Sequence, residues 1–90
     1  MTNRTGKITQ LERVFQVMHY WGGWMSLCEI KDHIYARYDH LDSECAISAR
    51  IREIGTARCA KYPEMAGYTV NKDRMVGRNA YLYRLMRVPG

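Results

Sequence analysis

The sequence predicts a mainly α member of the α+β class: three helices plus a C-terminal β-hairpin. Three observations predict it. Three segments repeat apolar residues at helical spacing, each behind a residue suited to cap a helix. Near the end, Ala80 to Met86 switches to period two, the alternation of a half-buried strand. A polar, basic stretch containing Gly77 precedes it and suits a hairpin tip.

The elements follow in order. Residues 1–8 are polar, carry Arg4 and Lys7 and show no periodicity; they read as a flexible arm ahead of a domain over 9–90. Thr9 then opens a capping box with Glu12. Leu11, Val14, Phe15, Val17, Met18 and Trp21 form one helical face, and Gly22-Gly23 ends it. Trp24-Met25 is a short extended pair, placed to add a third strand to the hairpin. Ser26 and Glu29 make a second capping box. Leu27, Ile30 and Ile34 give the core side of a second helix that runs to about Arg37, and Tyr38 to Leu41 is a turn.

The third helix is the most informative segment, Asp42 to Gly55 (DSECAISARIREIG), with its helical body over 43–54. Asp42 is expected to cap it, and Glu44 suits the partly positive first turn. Ile47, Ile51 and Ile54 form its apolar stripe. Gly55 is a natural stop, although the pattern also allows the helix to run on to about Ala60. At about 100° per residue the opposite face carries Cys45, Ser48, Ala49, Arg52 and Thr56. Pro63 and Gly67 then enforce a loop. Tyr68-Thr69-Val70 reads as a strand, the stretch from Asn71 to Asn79 as a basic turn, and Ala80 to Met86 as the returning strand. In that strand Tyr81, Tyr83 and Leu85 share one face. This order is that of a winged helix-turn-helix. One core is expected from Leu11, Val14, Phe15, Met18, Leu27, Ile30, Ile34, Ile47, Ile51, Ile54, Val70, Tyr83 and Leu85.

Composition narrows the function classes. An apolar share of 47% in 90 residues supports one modest core and excludes a disordered chain. No apolar run approaches the roughly 20 residues that span a bilayer. The N-terminus lacks a secretory h-region, so the expectation is a cytoplasmic protein with Cys28, Cys45 and Cys59 reduced. The net charge of +5 is uneven. Met1 to Gly55 holds seven Lys/Arg and seven Asp/Glu, whereas Thr56 to Gly90 holds seven Lys/Arg and two acids. All the excess therefore sits in the hairpin third, and a polyanion is the simplest partner. His19, His33, His40 and the cysteines lack the close pairs of structural zinc, so no metal is expected. No phosphate-binding glycine loop, nucleophile constellation or acid–base pair appears, so no catalytic residue, no cofactor and no enzyme activity are expected. The rings of Trp21, Trp24, Tyr81 and Tyr83 can stack on bases, but their spacing places them in the core.

The stretches GGWMSLCEI, AISARIREI, GYTV and YLYRL resemble the small winged helix-turn-helix domains encoded by bacteriophages and prophages. The matching residues are Gly22, Gly23, Trp24, Ser26, Glu29 and Ile30, the run from Ile47 to Ile54, and Gly67, Tyr68, Val70, Tyr83, Arg84 and Leu85. The resemblance spans roughly Thr9 to Arg87. It implies a DNA-binding protein, a transcriptional regulator or accessory factor, with the third helix in the major groove and the basic wing on the backbone. The candidate contacts are Ser43, Cys45, Ser48, Ala49, Arg50 and Arg52 on that helix, with Lys61, Lys72, Arg74 and Arg78 around the wing. Arg52 is the candidate for reading a base, through its two-pronged guanidinium. Arg50 lies nearer the core side and suits a phosphate or an intramolecular carboxylate. The competing expectation is a protein-interaction module, a phage adaptor or host-protein inhibitor; a face around Tyr20, Tyr35 and Tyr38 would suit a protein partner or a homodimer contact.

Overall fold

A computed structural model of the protein describes residues 8–56, 62–74 and 81–88. Helix α1 spans Gln10–Trp21, α2 Leu27–Tyr38 and α3 Glu44–Glu53. Strands β1, Tyr68–Arg74, and β2, Tyr81–Arg87, form an antiparallel hairpin. This is the mainly α, α+β layout of a winged helix. Residues 1–7 of the expected arm, together with Cys59, Lys61 and Arg78, lie outside the described residues.

Local sequence explains the first two helices closely. Both capping boxes form: Glu12 and Glu29 reach back to the backbone N–H of Thr9 and Ser26, whose hydroxyls accept from the N3 amides. α1 ends at Gly22, whose φ of 73° is left-handed and whose N–H donates to the Met18 carbonyl. α2 ends at Asp39, also left-handed at φ 55°, a conformation that short polar side chains tolerate.

The third helix departs from expectation at its start. Ser43, not Asp42, is the N-cap; its Oγ accepts from the Ala46 N–H at 3.1 Å. Asp42 is buried instead. Its carboxylate takes Arg13 Nε and Nη2, each at 3.0 Å, and Gln10 Nε2 at 2.9 Å. His40 Nδ1 lies 3.2 Å from the same group. Arg13 is buried too, and its Nη1 donates to the Ile8 carbonyl at 2.9 Å. A buried ion pair thus fixes the start of α3 against α1. Sequence periodicity is blind to it, because Arg13 sits among the apolar residues of α1 without sharing their character.

α3 does not run on toward Ala60: it stops at Glu53, Ile54 turns extended and Gly55 takes φ 90°. A side chain on Gly55 would meet Thr69 Oγ1 and the Tyr68 carbonyl, each at 3.2 Å. The glycine therefore serves both the turn and the close passage of β1. Pro63–Met65 forms a single 3₁₀ turn whose Met65 is fully buried, a core residue that sequence reading did not select.

The hairpin is longer than expected. β1 continues through Asn71 to Arg74, so Lys72 and Arg74 stand on a strand rather than on a turn. The register pairs Val70 with Leu85, Lys72 with Tyr83 and Arg74 with Tyr81. The expected third strand shrinks to one bridge, Met25 with Tyr83, made by two backbone bonds of 2.9 and 2.8 Å.

Burial divides the expected single core into two clusters. One joins Val14, Val17, Met18, Met25, Ile30, Ile34, Ile47, Ile51 and Tyr83; the other joins Leu11, Phe15, Ile54 and Met65. Val70 and Leu85 pack against both, and Leu27, expected in the core, is only partly buried. Three aromatics expected in the core are exposed: Trp21, Trp24 and Tyr81. Trp21 is the last residue of α1, Tyr81 the first of β2, and Trp24 lies in the link between α1 and α2.

Two stability predictions follow from this packing. Ile51→Ala empties a buried site in a small core and should cost about 2–5 kcal/mol in urea denaturation. Asp42→Ala strands the buried Arg13 charge and should cost about 3–5 kcal/mol. Asp42 also sets a pH dependence. Burial pushes its carboxyl upward, but the hydrogen bonds from Arg13 and Gln10 and the charges of Arg13 and His40 outweigh it and hold the value below normal. A depressed folded value means stability that is full above the unfolded value of about 3.9 and is lost as pH falls through the folded one. The stability gap between wild type and Asp42→Asn should therefore narrow from about pH 5 downward.

Candidate nucleic-acid interface

α3 presents Ser48 and Arg52 beside the first strand of the hairpin. Ser48, Ile51, Arg52 and Ile54 form one wall of a groove of about 270 Å³, and Thr69, Val70, Lys72 and Tyr83 form the other. Ile51, Ile54 and Tyr83 are its floor, since all three are buried. Its rim is polar and cationic. Arg52 is exposed, and its Nη1 donates to Ser48 Oγ at 3.2 Å, one helical turn back. The bond lays the guanidinium along the helix surface.

The hairpin supplies the second group of cations. Side chains at 68, 70, 72 and 74 share a sheet face with those at 81, 83, 85 and 87. Near the helices that face is apolar, with Val70, Tyr83 and Leu85. Beyond them it turns into Lys72, Arg74 and Tyr81. Lys72 Nζ lies 4.1 Å from the centre of the Tyr81 ring and Arg74 Cζ 5.6 Å from it. Arg74 Nη2 also donates to the Tyr81 hydroxyl at 3.3 Å. The ring therefore gathers two cations that would otherwise repel each other. Sequence reading missed this role of Tyr81. The signal was its place at one end of an alternating strand, opposite basic residues.

The other expected contacts divide. Cys45 is exposed near the start of α3, and Ala49 is half-buried beside Ser48. Ser43 spends its hydroxyl as the helix cap. Arg50 is turned inward: its Nη2 pairs with Glu53 Oε2 at 2.9 Å, while its buried Nε has no partner among the described residues. Ser48, Arg52 and Lys72 thus meet around one groove, Arg74 stands further along the hairpin, and Arg50 is held by a carboxylate.

Two further features bear on chemistry. Among the described residues, no group of three or more His, Cys, Asp or Glu could hold a metal ion, and no helix is long and apolar enough to cross a membrane. Cys28 and Cys45 are free and exposed. No protein-family model, no curated protein and no solved structure matches this chain.

The Tyr81 cluster makes its own prediction. The hydrogen bond from Arg74, and then the Arg74 and Lys72 charges, hold the Tyr81 phenol below its ordinary value. Arg74→Ala should move one tyrosine's titration upward, read as the difference in ultraviolet phenolate absorbance between the two proteins; identical curves would show that the pair does not form in solution.

Proposed function

We propose that the protein binds double-stranded DNA, as a transcriptional regulator or accessory DNA-binding factor of the bacteriophage or prophage kind. α3 lies in the major groove, and the hairpin lies on the adjacent backbone or minor groove. The observation that carries this reading is the groove between α3 and β1, whose rim joins Ser48 and Arg52 from the helix to Lys72 from the hairpin. Short side chains at Ser48 and Ala49 let the helix approach base edges, and Arg52 carries two donors suited to guanine. Lys72 and Arg74 neutralise phosphates and set the salt dependence. The surplus positive charge of the last third favours the same polyanion. On this reading the chain is a binding protein and not an enzyme.

A protein-interaction module is the competing reading. What favours it is a set of exposed rings at the ends of α1 and α2, with Tyr20 the most exposed at 74%. The two readings separate in one titration. Wild type should bind random duplex with an affinity that falls steeply with salt. Arg52→Ala should relax preference at one base position and cost about 1–3 kcal/mol there. Arg74→Ala should weaken all sequences alike and reduce the log–log salt slope by about one. Duplex binding weaker than about 10⁻⁴ M for wild type would rule out the DNA reading and leave the interaction module.

A further inference from the structure

A cavity of about 260 Å³ opens between the C-terminal halves of α1 and α2, lined by Val17, Tyr20, Trp21, His33, Ala36 and Arg37. It shares no residue with the groove beside α3. Its walls are largely aromatic: the Trp21 and His33 rings meet edge-on with centroids 4.7 Å apart. The Arg37 guanidinium lies over the Tyr20 ring at 5.1 Å and the Tyr38 ring at 5.7 Å. Among the described residues no carboxylate pairs with Arg37, and none lines the cavity. The site is thus an apolar hollow edged by a cation that has rings beside it but no carboxylate partner among the described residues.

The chain carries a matching plug a few residues away. Leu41 is 72% exposed on the turn that leaves α2, and Asp39 beside it is exposed and makes no ion pair among the described residues. Asp39 is fixed in place as the left-handed cap of α2, with its N–H on the Tyr35 carbonyl at 2.8 Å. A leucine side chain fits the hollow, since cavities of about 150 Å³ already hold benzene. The plug and the hollow are at most about 14 Å apart along the chain, counted from Arg37 to Leu41. Such closeness puts plug and hollow on one patch, and a two-fold contact uses the same patch of both copies, each giving and receiving across one axis.

We propose that the protein self-associates through this surface as a two-fold dimer. Leu41 of each copy enters the α1–α2 cavity of the other, and Asp39 of each copy pairs with Arg37 of the other. Tyr20 and Trp21 close around the leucine, and tyrosine, tryptophan and arginine are the residue types that dominate interface energies. The contact needs no DNA and stands apart from the DNA reading.

Sedimentation equilibrium of the full chain tests it by charge exchange. Wild type should show a monomer–dimer equilibrium. Arg37→Glu alone and Asp39→Lys alone each set two like-charge pairs across the axis, and each should weaken dimerisation at least about tenfold. An equimolar mixture of the two variants should recover the dimer, because both cross-axis pairs become attractive again. Circular-dichroism melts establish that each variant is folded. Leu41→Asp, at an exposed position, gives an independent arm that should be folded and monomeric. Three results would each overturn the proposal: wild type monomeric up to about 1 mM, the weak end of specific association; a mixture no more dimeric than its components; or Leu41→Asp dimerising like wild type.

Discussion

The Arg13–Asp42 pair is the constraint on which the placement of α3 depends. A helix of ten residues with two isoleucines, Ile47 and Ile51, on its inner face can roll or slide along its neighbours at little cost, because apolar contact is not directional. A two-pronged arginine–carboxylate contact is directional. By holding the residue just ahead of the Ser43 cap against the first turn of α1, it sets where α3 begins and which way its outer face points. Gln10 and His40 complete the carboxylate's partners, so little of its hydrogen-bonding capacity is left unmet in the interior. The other end of α3 is set by contact: Gly55 turns the chain where a side chain would strike β1.

The hairpin draws two functions from one alternation. A single sheet face runs from Val70 and Leu85, packed on both core clusters, through Lys72 on the rim of the groove beside α3, to Arg74 and Tyr81 further along the hairpin. The chemistry of the face changes where the underlying core ends. Val70, Tyr83 and Leu85 lose water against the helices; Lys72 and Arg74 keep theirs and lean on the Tyr81 ring. Anchoring at one end and cation presentation at the other follow from the same register. The Met25–Tyr83 bridge ties β2 to the chain ahead of α2, so the hairpin is held from both sides.

The groove beside α3 and the cavity between α1 and α2 are built from different residues. Lys72, from the basic last third, lines the groove beside α3, whereas Tyr20, Trp21 and the α1–α2 cavity belong to the charge-balanced first half. Polyanion attraction is long-ranged and needs only net charge and a groove. Close apolar association needs rings and little net charge. Keeping them apart leaves each surface its own partner, so the proposed DNA contact and the proposed self-association do not compete for residues.

The sequence alone determined the features that depend on neighbours within one or two turns. Both capping boxes, the glycine ends of α1 and α3, the isoleucine stripe and the alternation of β2 are local, and each was legible. So was the composition of the outer face of α3. Tertiary structure decided what depends on residues far apart in the chain. Asp42 has the side chain of a helix cap, and only the arrival of Arg13 makes it a buried ion pair instead. Trp21, Trp24 and Tyr81 keep the spacing of core residues, yet the fold leaves them exposed. Met65 is buried because a 3₁₀ turn points it at Leu11 and Phe15, which no periodicity foretells. Helical phase already separates Arg50 from Arg52, and Glu53 holds the first from three residues away; what packing adds is the hairpin wall of the groove that Arg52 faces. Local rules fix the elements, because backbone hydrogen bonds and caps close within a few residues; partners, burial and the joining of helix to hairpin are set by packing, which no short stretch of sequence contains.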